Sequence, residues 1–182
     1  MSTNSNYTAD YFSKNIGRFS KFLQHLDAGP CHLLEIGCFE GRSTRWLLDH
    51  IAVHPESTVS CVDIYWQPLF LSNMKGQFKV NLHEGPSRAI LPTLPRQHFD
   101  FIYVDGSHET IDVLEDAVLS FRLLKTGGIL GFDDYRWKNK ERGQKRNVPK
   151  PAIDAFRKIY KRKIDALTTF GSYQYWARKL SD

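Results

Sequence analysis

The sequence predicts an α/β protein built on a doubly wound, mostly parallel sheet of seven strands that ends in a C-terminal antiparallel hairpin. Three observations lead there. Short apolar runs alternate with helical stretches along the 182 residues, the pattern of strand–helix crossovers that a parallel sheet requires. The first run opens into a glycine turn, "LLEIGCFEGRST" at 33–44, with the spacing G-x-x-x-G. The strand ends carry acids, at Glu35, Asp63, Asp105 and the pair Asp133–Asp134. In doubly wound sheets ligands bind beyond the carboxyl ends of strands, where the strand order reverses.

The elements follow in order. Residues 1–10 are polar and are expected to be disordered or loosely attached. From Tyr11 to Leu26, Phe12, Ile16, Phe19, Phe22, Leu23 and Leu26 recur at spacings of three and four, so 11–27 predicts an amphipathic helix that "AGP" breaks. "HLLEIG" reads as a strand and "RSTRWLLDHI" as a helix. "STVSCVDIY" is the second strand, and "WQPLFLSNMKGQ" is either an irregular connection or a short helix. "FKVNLHEG" is the third strand, "SRAILPTL" a short helix stopped near Pro92, and "FDFIYVDG" the fourth strand. The next helix places Ile111, Leu114, Val118 and Phe121 on one stripe and ends on "TGG", a glycine stop signal. "GILGFDD" is the fifth strand, and Pro151 suits the first turn of the helix "AIDAFRKIY". "IDALTTF" and "SYQYWARK" form the terminal hairpin.

The length suits a single domain, 1–182, with one sizeable core. No apolar stretch approaches the roughly 20 residues that span a bilayer, and the polar start is no secretory signal. Three cysteines without CxxC spacing argue against a disulfide framework and a zinc site and make a reducing cytoplasm the default expectation. The net charge of +5 is concentrated: residues 136–150 hold seven Lys and Arg against one acid, Glu141. That makes 135–150 a mobile basic loop, which is either a solvated surface or an attractor of phosphate or nucleic acid.

A turn that cradled pyrophosphate would present glycines and a helix N-terminus. Here Glu35 and Glu40 are hostile to phosphate. An acid at the first strand's end suits an ammonium group, and Asp63 suits the paired hydroxyls of a ribose. An ammonium and a ribose without a phosphate describe S-adenosylmethionine.

On these residues the chain from about 31 to 178 resembles the class I S-adenosylmethionine-dependent methyltransferases, which have a Rossmann-like sheet. The similarity is to their catechol and macrocin O-methyltransferase-like branches (methyltransferase family 24). "LLEIGCFEGRST" is similar to the family's first motif, "CVDIY" to its second, and "HEGPSRAILPTL" and "FDFIYVDGSH" to later ones. The resemblance implies cofactor contacts at Glu35, Gly37, Cys38, Gly41, Ser43, Asp63, Ile64, Asp105 and, beside the adenine, Gly85, Pro86 and Ser87. It also implies that the fourth and fifth strands are neighbours, so Asp105, Asp133 and Asp134 converge. Three carboxylates there suit a hard divalent ion, Mg2+, Mn2+ or Ca2+. His108, three residues after Asp105, is the expected general base toward an acceptor hydroxyl, with Asp105 beside it in the catalytic set. Tyr65, Trp66, Tyr135 and Trp137 follow strand ends and are candidates for walling a substrate pocket.

The expected function is methyl transfer to a hydroxyl of a small, acidic or polyhydroxylated molecule. The competing readings are a catalytically silent module that binds a cofactor or partner and a nucleic-acid methyltransferase using the basic loop. "VDGSH" stands where amino-directed nucleic-acid enzymes carry an N/D-P-P-Y-type motif, so a nucleic-acid partner is not expected. A nicotinamide oxidoreductase is disfavoured by the absence of G-x-G-x-x-G. No membrane partner is expected, and the N-terminal helix leaves room for a substrate lid or a homodimer contact.

Overall fold

The computed structural model describes residues 6–138, 148–168 and 172–182. Five strands run parallel: β1 (His32–Ile36), β2 (Thr58–Asp63), β3 (Val80–Glu84), β4 (Phe99–Val104) and β5 (Leu124–Phe132). β6 (Ile164–Ala166) and β7 (Tyr175–Lys179) form the antiparallel hairpin, with β7 paired against β5. The order is β3-β2-β1-β4-β5-β7-β6, so the sheet reverses direction of growth between β1 and β4. Their carboxyl ends flank the crevice where such sheets bind ligands.

Helices cover both faces, so the central strands are apolar on both sides. Along β1 and β4 the side chains alternate between two cores. Leu33, Phe101 and Tyr103 pack with Phe19 and Leu23 of α1 (Ile16–Leu23) and Leu47 of α2 (Arg42–His50). Leu34, Ile102 and Val104 pack on the other face, with Val113 and Phe121 of α5 (Thr110–Leu123) and Phe156 of α6 (Pro149–Ile159). Phe19 stands edge-on to Tyr103 and Trp176, with ring centroids 4.9 Å apart in each pair. The N-terminal helix is thereby fastened to the middle of the sheet.

The ambiguous stretch resolves into a short helix, α3 (Pro68–Asn73), opened by Pro68 at its first position. α4 (Ser87–Ile90) is a single turn continued by a 3-10 turn over Leu91–Thr93. α5 differs from its expected stripe: Ile111 is 73% exposed, and the buried face runs through Val113, Asp116, Ala117, Ser120 and Phe121. Two polar residues lie on that face, which is why hydropathy alone rotates it. Nor do the glycines stop this helix. It ends at Leu123, and Gly127 and Gly128 lie within β5, where a side chain on Gly128 would meet Leu124 at 2.9 Å.

Residues 6–10 are held down, unlike the loose terminus expected from their polarity. The Asn6 N–H donates to Asn73 Oδ1 (3.1 Å), the Thr8 N–H to Glu40 Oε2 (2.7 Å), and Asp10 pairs with Arg42 (3.0 Å). Residues 1–5 and most of the basic loop, 139–147, lie outside the described residues. Among the described residues, no helix is long and apolar enough to cross a membrane.

Candidate active site

The turn after β1 needs glycine at both expected positions. Gly37 and Gly41 each have φ +81°, in the left-handed region. Gly37 also passes so close to β4 that a Cβ there would lie 2.3 Å from the carbonyl oxygen of Asp105. The two glutamates that argued against a phosphate both turn away from the crevice. Glu35 is fully buried and accepts hydrogen bonds from the hydroxyls of Ser43 and Thr44, so it braces β1 to the start of α2. Burial pushes its carboxyl up to about 7, against the pull of the two hydroxyls. Glu40 is buried too, and its carboxylate is capped by the backbone N–H and hydroxyl of Thr8.

Beyond the strand ends lies one cavity of about 900 Å3. Gly37, Cys38 and Ser43 line one side of it, with Asp63 and Ile64 from the end of β2. Asp63 takes one backbone N–H on each oxygen, from Cys38 and Ile64, both at 2.8 Å. A carboxylate has about four acceptor sites, so capacity remains for ligand hydroxyls. Gly85, Pro86 and Ser87 continue the wall, and the Gly85 N–H donates to the Asp63 carbonyl at 2.8 Å. Of the sequence-derived cofactor set, Glu35 and Gly41 alone are not part of this lining; they shape the turn from behind.

The other end of the cavity is acidic. Asp105, Asp133, Asp134 and His108 line it together, brought there by the neighbouring ends of β4 and β5. The His108 Nε2 lies 2.5 Å from Asp134 Oδ2, and the imidazole stacks on Trp137 with centroids 4.6 Å apart. The hydrogen bond to Asp134 holds the His108 pKa above its ordinary value, although burial opposes it. Burial alone would raise Asp134, but hydrogen bonds from His108 and Tyr173 win and hold it low. Asp133 accepts from the Tyr103 hydroxyl (2.6 Å) and the Asn15 amide (3.3 Å). Burial pushes Asp133 up, and burial with the charges of Asp133, Asp134 and Glu35 pushes Asp105 well above the usual carboxylate range.

This crowding of hard oxygen donors is the chemistry a divalent ion would relieve. The donors are not drawn to a point, however. Among the described residues the trio whose ligand atoms lie within 4.8 Å of one another is Glu35, Cys38 and Cys61, not the aspartates. That trio is fully buried beneath the turn, and the Cys38 thiol, pushed well up by burial, donates to the carbonyls of Glu35 (3.8 Å) and Val62 (4.0 Å).

The aromatic candidates divide. Tyr65 and Trp137 line the cavity, whereas Trp66 packs on Phe70 at 4.7 Å and Tyr135 is in the core. Sequence reasoning missed Tyr11, Phe12, Lys14 and Asn15 of the N-terminal segment, Tyr103, Asp116 and Tyr173, all of which line the same cavity. Only the topology brings them there; their spacing in the sequence carries no signal.

Comparison with known proteins gives the same frame. Residues 34–135, more than half of the chain, match the family model described as a methyltransferase domain. Caffeoyl-CoA O-methyltransferase 2 of Zea mays is 30% identical over 135 residues, which is 69% of this chain and 49% of that protein. The chain thus spans about half the length of the curated relatives it matches. An O-methyltransferase from Bacillus cereus in complex with SAH superposes with a TM-score of 0.72 at 18% identity, covering 96% of this chain and 84% of that one. The MycE methyltransferase of the mycinamycin biosynthetic pathway, in complex with Mg, SAH and mycinamycin VI, superposes with a TM-score of 0.68 at 13% identity, covering 94% and 50%. These last two likenesses speak to the fold, and the family match to membership: the chain belongs to the methyltransferase domain family.

Proposed function

We propose that this protein transfers the methyl group of S-adenosylmethionine to a hydroxyl of a small-molecule acceptor. The observation that carries the reading is the two-ended cavity. Asp63 and the Gly85–Ser87 wall suit a nucleoside at one end, and a histidine–carboxylate pair stands at the other. The cofactor supplies an electrophilic methyl on a sulfonium. The protein's part is to orient the two reactants and to take the acceptor proton.

His108 is the group suited to that proton. Asp134 fixes its ring and stabilises the imidazolium that forms, as the raised pKa reflects. Asp105, Asp133 and Asp134 line this end without converging on a point; if they closed on a Mg2+ or similar ion, it would neutralise them and lower the pKa of an acceptor hydroxyl. The likeness to MycE, in complex with Mg, SAH and mycinamycin VI, and to the caffeoyl-CoA O-methyltransferases supports a small-molecule acceptor. Trp137, stacked on His108, and Tyr173, hydrogen-bonded to Asp134, suit a planar or ring-shaped one.

The test is transfer of labelled methyl from S-adenosylmethionine to a panel of phenols, vicinal diols and sugars, with magnesium and with EDTA. The reading expects turnover that His108→Ala lowers by about 100-fold or more, with vicinal hydroxyls preferred and EDTA inhibitory. Unchanged turnover in His108→Ala would overturn the base assignment, and insensitivity to EDTA the ion.

A further inference from the structure

The chain carries a formal net charge of +5, yet its cavity is acidic: among the described residues seven carboxyls line it, against the fixed cations Lys14, Arg42 and Arg88. Arg42 already pairs with Asp10 at 3.0 Å. The proposed cofactor adds one net positive charge at its sulfonium, and a divalent ion would add two. Together they leave the lining short of neutral, so its field favours a positively charged second ligand.

A second observation does not depend on that balance: the acidic end already holds an ammonium. Lys14, on the 3-10 turn Ser13–Asn15, lays its Nζ over the Tyr173 ring, 4.9 Å from the centroid. Among the described residues it forms no ion pair, so an aromatic face, rather than one carboxylate, is its seat. An aromatic face among carboxylates is the chemistry by which proteins recognise amines. Lys14 is exposed and its stem is flexible, so it can swing into solvent and yield the place. The seat adjoins the proposed base, because Tyr173 and His108 both bond to Asp134. A ligand with its amine over Tyr173 thus turns a hydroxyl a few bonds away toward His108.

We infer that the acceptor is an amine-bearing alcohol or phenol, whose ammonium displaces Lys14 from the Tyr173 face while its hydroxyl meets His108. The inference rests on the methyl-transfer reading and adds to it the charge of the acceptor. Lys14 is then a tethered stand-in for the ligand's amine, and the acidic acceptor among those expected from the sequence is disfavoured.

The experiment is calorimetric titration into protein saturated with S-adenosylhomocysteine, at pH 7 in low salt. The probes are phenols that differ in side-chain charge: tyramine, 4-hydroxyphenylethanol and 4-hydroxyphenylacetate. A sugar series of glucosamine, glucose and glucuronate repeats the comparison. In at least one series wild type is expected to bind the cation about tenfold or more tighter than its neutral counterpart, with the anion weakest. Added salt should shrink that preference. Lys14→Met, which removes the competing ammonium, should tighten the cation about threefold or more. Tyr173→Leu should weaken it about threefold or more, whereas Tyr173→Phe, which keeps the ring, should not. Equal affinity across both series overturns the inference, as does an absence of binding by either cation. An anion preferred by wild type and released by Lys14→Met overturns it too, and would make Lys14 the reader of an acidic acceptor. Failure of the wild type to bind S-adenosylhomocysteine at all would instead overturn the cofactor reading, and this inference with it.

Discussion

The two turn glycines are alike in the sequence and in backbone angle, yet the structure ranks them. Replacing either by alanine forces an L residue into φ +81°, at a cost of about 1–2 kcal/mol. At Gly41 the new Cβ meets Met74 Cε at 2.9 Å and Phe70 Cδ2 at 3.0 Å, both ends of side chains that can shift. Overpacking of that kind adds about 1 kcal/mol. At Gly37 the Cβ meets backbone: the Asp105 carbonyl oxygen at 2.3 Å and Gly106 Cα at 2.5 Å. Relief there requires β1 and β4 to part at their carboxyl ends, at the upper end of overpacking costs, about 3 kcal/mol. Gly37→Ala should therefore lose about 4–5 kcal/mol and Gly41→Ala about 2–3, against a total of about 5–15 for a typical domain. Urea unfolding of the two variants measures the difference. Because Asp105 moves with the β4 end, Gly37→Ala should also lose ligand binding under conditions where it remains folded. A Gly41→Ala variant as unstable as Gly37→Ala would refute the close-approach argument.

Glu35 predicts a pH dependence. Its folded pKa, about 7, lies above its unfolded value, so the folded state binds the extra proton and stability falls as pH rises between about 4.5 and 7. Glu35→Gln should remove that slope, gaining up to about 3 kcal/mol over wild type at pH 8 and nothing at pH 4, by denaturant titration at both. The pair His108–Asp134 has the opposite arrangement on its two members. His108, raised, contributes fully below its unfolded pKa and loses this as pH rises through the folded one; Asp134, lowered, contributes above its unfolded pKa and loses this in acid. In Asp134→Asn the His108 imidazole should titrate at lower pH than in wild type, as followed by NMR; an unchanged titration would mean the pair does not exist in solution. Glu40→Ala should release residues 6–10, because the Thr8 bonds lose their acceptor, and hydrogen exchange at the Thr8 amide should rise at least tenfold, about 1.4 kcal/mol.

The central strands were legible because they are buried on both faces and so read as largely apolar runs between turn residues. The acidic end of the cavity was legible for a related reason: acids that follow such runs stand out, and the strand order brings Asp105 beside Asp133 and Asp134. What the sequence concealed was direction. Glu35 and Asp63 both end strands, yet Asp63 lines the cavity while Glu35 points beneath the turn to Ser43 and Thr44. Strand alternation gives the face, but which face holds α2 is a matter of the whole fold. The inward face of α5 was misread because Asp116 and Ser120 lie on it and Ile111 lies off it. The clasp of residues 6–10 on Glu40 joins positions 32 apart, and no local pattern could announce it.

The central claim is that the β1 turn and Asp63 form a nucleoside site for S-adenosylmethionine. It is tested most directly by calorimetric titration of S-adenosylhomocysteine into wild type and Asp63→Ala, with magnesium and again with EDTA. Wild type should bind at about micromolar Kd, weakened roughly 100-fold in Asp63→Ala by loss of two charge-assisted hydrogen bonds. No heat of binding to wild type in either buffer, or equal affinity in Asp63→Ala, would contradict it.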